Sequence, residues 1–174
     1  YYHGDVASAR QYYDRALQAA AHSKEPDKVL VIKSDLGKAE LEGGHPAAAI
    51  SSFRSLGKQA EDQGFAYVAV ESSVYMADAM LRNHDALHAQ QELERALLQA
   101  DKLGLKPLSA KAHYLLGTAL RTSGNQAEAL QHYRSAVQLL DAMRKEAGAE
   151  KILQRSDFKV IYDDASHWAE ASKN

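Results

Sequence analysis

From Ser109 to Val137 the chain reads SAKAHYLLGTALRTSGNQAEALQHYRSAV, and its apolar positions fall on two helical stripes. In the first half His113, Leu116, Gly117 and Leu120 return at spacings of three and four; in the second, Ala129, Tyr133 and Ala136 do the same. Ser123, Gly124 and Asn125 separate the two stripes. Gly124 suits the positive φ that ends a helix, and Asn125 can cap the next one with Glu128 three residues on, a capping-box spacing. The pattern predicts two helices folded back on each other. Gly117 and Ala129 let the backbones approach, while Leu116, Leu120 and Tyr133 fill the space around them.

The same pattern returns every 40 residues. Ala129, Tyr133 and Ala136 map onto Ala89, Leu93 and Ala96, then Ala49, Phe53 and Leu56, then Ala9, Tyr13 and Ala16. Leu116-Gly117 maps onto Met76-Ala77 and Leu36-Gly37, and Gly124 onto His84, Gly44 and Gly4. Each triplet is small, large apolar, then apolar, without an insertion between copies. An unrelated helical bundle is the competing arrangement.

These residues resemble the tetratricopeptide repeat, whose first helix carries a Leu-Gly pair flanked by aromatics and whose second carries Ala, an aromatic and Ala. Leu116-Gly117 stands for the pair and Ala129, Tyr133 and Ala136 for the second helix; His113 and Leu120 replace the usual aromatics. The common repeat is about 34 residues long. The longer spacing here is similar to the long-helix arrays of kinesin light chains, cell-polarity scaffolds and the sensor arms of some bacterial transcription regulators. The fold expected is all-α: a right-handed superhelical array of antiparallel helix hairpins, an α-solenoid, with a C-terminal capping helix. Gly37, Ala77 and Gly117 are expected in equivalent surroundings, with no sheet.

Taken in order, Asp5 caps a second-type helix over 5–22, and full repeats follow over about 26–62, 66–102 and 107–145. Pro26, Pro46 and Pro107 all fall at helix starts, where proline is tolerated. Gly64-Phe65 and Gly104-Leu105 read as a helix-ending glycine and the apolar residue that folds back after it. The chain opens at YYHGD, and the register expects the hairpin partner of the first helix upstream of Tyr1, as in a fragment of a longer protein. After Val137 the register fails: adding 40 to Leu116-Gly117 lands on Ser156-Asp157. Residues 146–174 are therefore read as a capping region. Its amphipathic helix, over about 157–170, puts Phe158, Ile161, Tyr162, Ala165, Trp168 and Ala169 on one face. Docking of this helix on a partner or on another copy is the alternative to capping.

Composition narrows the function. The 174 residues are 45% apolar with three prolines, no cysteine and a formal charge of −2, which suits closely packed helices and gives no basic footprint for nucleic acid. No run approaches the ~20 apolar residues of a membrane span, and no secretory signal is visible; a cytoplasmic setting is the default expectation. Ser55 and Lys58 match Ser-x-x-Lys without its companion motifs. His84 and His88 have metal-compatible spacing but no third ligand, and Gly37-Lys38 lacks the upstream glycine of a phosphate loop. No catalytic residue, metal or cofactor is expected, and the chain reads as non-enzymatic.

What the resemblance implies is binding of a protein or peptide on a concave wall lined by the first helix of each hairpin. The inner positions are Ser34, Lys38 and Glu42; Glu71, Val74, Asp78 and Arg82; and Lys111, Tyr114, Thr118 and Arg121. Lys38 with Glu42 and Asp78 with Arg82 are each four apart, so simple surface ion pairs are the competing reading. The wall has no Asn, unlike family members that clamp a C-terminal carboxylate, and its mixed charge with one tyrosine suits an extended or helical segment. The alternative function is a regulatory arm of a signalling or transcription protein that self-associates through the first or last helix.

Overall fold

The computed structural model describes residues 6–22, 26–146 and 156–171. Asp5, and the connection at 23–25, lie outside the described residues, as does the side chain of Ala9. Within the described residues everything regular is helix. In order these are α1 (Val6–His22), α2 (Pro26–Glu42), α3 (Pro46–Asp62), α4 (Ala66–Arg82), α5 (Ala86–Lys102), α6 (Lys106–Thr122), α7 (Gln126–Lys145) and α8 (Ser156–Ala171). Helices α2 to α6 are each 17 residues long, and from α2 to α7 each joins the next through three residues.

The middle residue of each connection has positive φ: Gly44, Gly64, His84, Gly104 and Gly124. In four of them the next amide reaches back to close the turn: His45 to the carbonyl of Glu40, Phe65 to Ala60, Leu105 to Ala100 and Asn125 to Leu120, at 2.8 to 2.9 Å. This is the Schellman closure, which satisfies a carbonyl that the helix end would orphan. Pro26 and Pro46 open their helices, and Pro107 sits one residue inside α6. One expected cap takes another form. Asn125 makes no side-chain bond to the backbone of α7; its amide donates to the Glu128 carboxylate instead, a charge-assisted bond stronger than a neutral one.

The chain divides into two units, Tyr1–His84 and Asp85–Asn174. In the first, α1 packs on α2, α2 on α3 and α3 on α4, and α4 also reaches α2. Its core is Leu30, Leu41, Ala49, Phe53, Leu56 and Ala79, with Val68, Tyr75 and Met76 packed against it. Gly37 is required here: a Cβ on it would lie 2.8 Å from Phe53 Cζ, far inside van der Waals contact. One buried charge interrupts the core. Glu40 accepts from Ser52 Oγ at 2.6 Å and lies 3.6 Å from Arg10, while its Oε1 has no hydrogen-bond partner. At the same register position the later repeats carry Met80 and Leu120.

In the second unit α5 packs on α6, α6 on α7 and α7 on α8, and α8 also reaches α6. The contact at Gly37 is reproduced 80 residues later, where a Cβ on Gly117 would lie 2.7 Å from Tyr133 Cε1. On α8, Phe158, Ile161 and Ala165 are buried, with Tyr162 and Trp168 packed beside them.

The register that the sequence loses after Val137 resumes in α8. Tyr75 stacks on Phe53 at 5.6 Å and 21° in the first unit; Trp168 stacks on Tyr133 at 6.4 Å and 21° in the second. Ser34 donates to Glu71 at 2.9 Å, and Tyr114 to Asp164 at 2.9 Å. Tyr133 and Tyr114 stand 80 residues after Phe53 and Ser34, but Trp168 and Asp164 stand 93 after Tyr75 and Glu71. Helix α8 thus relates to the α6–α7 hairpin as α4 relates to α2–α3, as the first helix of a further repeat. Of the thirteen extra residues, three lengthen α7 to 20 residues, seven lengthen the stretch before α8, and three lie in the earlier start of α8 itself. By this register the small-residue position of Gly37, Ala77 and Gly117 falls on Glu170, which is exposed.

Candidate functional site

The predicted inner positions separate into two clusters, one in each unit. In the first, Ser34 on α2 is buried and donates to Glu71 on α4. Lys38, one turn further along α2, donates to the other oxygen of that carboxylate at 3.0 Å and lies 4.7 Å over the Tyr75 ring. Tyr67, exposed on the first turn of α4, donates to Glu71 at 3.4 Å. The carboxylate thus ties α2 to α4 through Ser34 and Lys38, with Tyr67 as a third donor from its own helix.

The Lys38–Glu42 pair of the competing reading is absent among the described ion pairs, since Lys38 turns to Glu71. Partly buried Glu71 also accepts from Ser34, and such a carboxylate is a stronger partner than exposed Glu42 at a helix end. Glu42 instead contributes to the field at Tyr13 on α1, whose hydroxyl is held above its usual range by burial first, then by Asp35, Tyr12 and Glu42. Asp78 and Arg82 pair within α4 at 3.1 Å. Val74 is fully buried and has no surface to offer.

In the second unit Lys111 is buried near the start of α6. Tyr114 reaches Asp164 on α8, and Thr118 bonds its own helix at Tyr114 O, 3.1 Å away, and meets the Tyr133 hydroxyl at 3.3 Å. Arg121 is exposed; its guanidinium lies 4.3 Å over the Trp168 ring and its Nε donates to the Tyr133 hydroxyl at 3.3 Å. Sequence reasoning missed Tyr67 and Tyr75 in one unit and Tyr133, Asp164 and Trp168 in the other as members of these clusters. The signal for the last two was the displaced register of α8, visible only once thirteen residues are allowed for.

A separate polar contact joins the same hairpin. His113 on α6 and His132 on α7 meet Nδ1 to Nδ1 at 2.9 Å, so one ring donates and the other accepts. Burial lowers both below the ordinary histidine value. For His113 the neighbouring His132 adds to this against Asp101; for His132, Glu128 and Glu94 oppose it.

The other residues singled out for chemistry have plain structural roles. Leu56, between Ser55 and Lys58, is buried, and Lys58 pairs with Asp62 at 3.1 Å. His88 bonds Asp85, the N-cap of α5, at 2.8 Å. Among the described residues no three His, Asp or Glu side chains are grouped to hold a metal ion. No described helix is long and apolar enough to cross a membrane.

Paired helices of equal length, a glycine under an aromatic ring and Schellman turns between them define a helical-hairpin repeat protein. The family model of the tetratricopeptide repeat matches residues 74–143, so that stretch is similar to repeats of the tetratricopeptide type. Such repeats generally mediate protein–protein interaction and typically lack enzymatic activity. The comparison with curated proteins returned no match.

Proposed function

We propose that this chain is a non-enzymatic interaction module that holds a partner polypeptide on the faces its first-type helices present, α2 with α4 in one unit and α6 with α8 in the other. The observation that carries this reading is the pairing of cations with partly exposed aromatic rings on both faces: Lys38 over Tyr75 and Arg121 over Trp168. Such groups are amphipathic and rigid, the kind that supply anchors at interfaces. Within the predicted set Lys38, Glu71, Tyr114, Thr118 and Arg121 form the contact surface, with Ser34 as support beneath Glu71.

The test reverses charge on each face separately, with Lys38→Glu and Arg121→Glu, and recovers photo-crosslinked partners from cells expressing each variant. Loss of the same partner proteins with unchanged helicity is expected. Undiminished recovery with both variants would sink the proposal.

A further inference from the structure

We infer that Arg121, held by Trp168 and Tyr133, is a receptor for a side-chain carboxylate of an acidic partner segment; this rests on the interaction reading above and names the chemistry of the partner. The guanidinium is fixed in two ways. The indole beneath it, 4.3 Å away, sets its plane, and the bond from Nε to the Tyr133 hydroxyl sets its rotation over that ring. Tyr133 is itself immobile, since its ring is buried against Gly117 and its hydroxyl meets Thr118.

Other cations near these faces already have a carboxylate: Lys38 has Glu71, Arg82 has Asp78 and Arg144 has Asp141. Arg121 makes no ion pair among the described residues, and its paired terminal nitrogens donate to no described side chain. That planar edge matches a carboxylate with two parallel hydrogen bonds. Because the side chain is already ordered, docking an acid there loses little rotamer entropy. Trp168 comes from α8, so the receptor exists only when the last helix is seated on the α6–α7 hairpin.

Trp168 is the only tryptophan in the chain and lies against the proposed ligand, so its emission reports binding. The full chain is titrated with a blocked seven-residue peptide of alternating Glu and Ala, with the same peptide carrying Gln for Glu, and with the Gln peptide bearing a free C-terminal carboxylate; calorimetry repeats each titration. The blocked Glu peptide is expected to give a saturable, salt-sensitive change and the blocked Gln peptide none. Arg121→Gln should weaken the Glu peptide at least about tenfold, as expected for a hydrogen-bonded charge, with helicity unchanged. Arg121→Lys, which keeps the charge and loses the fork, should fall between. Equal response to the blocked Glu and Gln peptides, unchanged affinity in Arg121→Gln, or binding of only the free-carboxylate peptide overturns the inference. Basic and apolar peptides complete the panel. If they bind while the Glu peptide does not, partner binding stands and this receptor falls; if no peptide binds, both fall.

Discussion

At the scale of single residues, two positions break the pattern that their repeats set. His84 takes the positive φ that glycine takes at the four other turns. A side chain there costs about 1–2 kcal/mol, against about 0.5–1 kcal/mol for the greater freedom glycine gives the unfolded chain. His84→Gly is therefore expected to stabilise the protein by about 0.5–1 kcal/mol in urea unfolding. The second position is Glu40, 2% exposed, paired among the described residues with an arginine that is 61% exposed and with one oxygen unsatisfied. A mostly solvated Arg10 cannot offset the desolvation of a buried carboxylate. Glu40→Met, which copies Met80, should raise stability by about 1 kcal/mol; a loss on the same urea scale would show that the Ser52–Glu40–Arg10 chain is worth more than its geometry indicates. Both exceptions could be found by aligning the chain with itself. The partner of Lys38 could not, because a spacing of four residues in one helix says nothing of a carboxylate 33 residues away on another.

At the scale of helices, the boundaries were legible because local chemistry fixed them: proline at or just inside three helix starts and glycine at the turns. Val74 was misjudged as surface because helical spacing assigns a residue to a stripe without saying how wide the covered stripe is. Helix α8 was legible as amphipathic but not as a first-type helix, since thirteen extra residues broke the arithmetic while the packing of Trp168 on Tyr133 survived. The α6–α7 pair also contains a proton-linked contact. Burial lowers His113 and His132 in the folded state, so folding disfavours their charged forms. Their stabilising share is present above the unfolded histidine value of about 6.5 and is lost as pH falls below it toward the lowered folded values. The urea midpoint should drop between pH 7.5 and pH 5. His132→Asn should drop less over that interval; an identical drop would assign the pH dependence to other groups.

At the scale of the whole molecule, the register says how far a defect spreads. Gly117→Ala sets a methyl 2.7 Å from a buried ring carbon, an overpacking cost of about 1–3 kcal/mol offset by up to about 1 kcal/mol of helix propensity. A net loss of about 1–2 kcal/mol is expected. Repeats contact mainly their neighbours, so amide exchange should quicken first in α6, α7 and α8, with α2 and α3 changed least; uniform quickening would mean that the chain opens as one cooperative block.

From α2 to α6 the spacing is constant: each helix with its turn occupies 20 residues, and a single residue inserted within a helix would swing the later side chains of that helix about 100° around its axis. Between α7 and α8 the chain has absorbed a surplus of thirteen without disturbing the seat of Trp168. Foreign sequence spliced in at that junction is expected to leave Trp168 on Tyr133, seen as unchanged Trp168 emission.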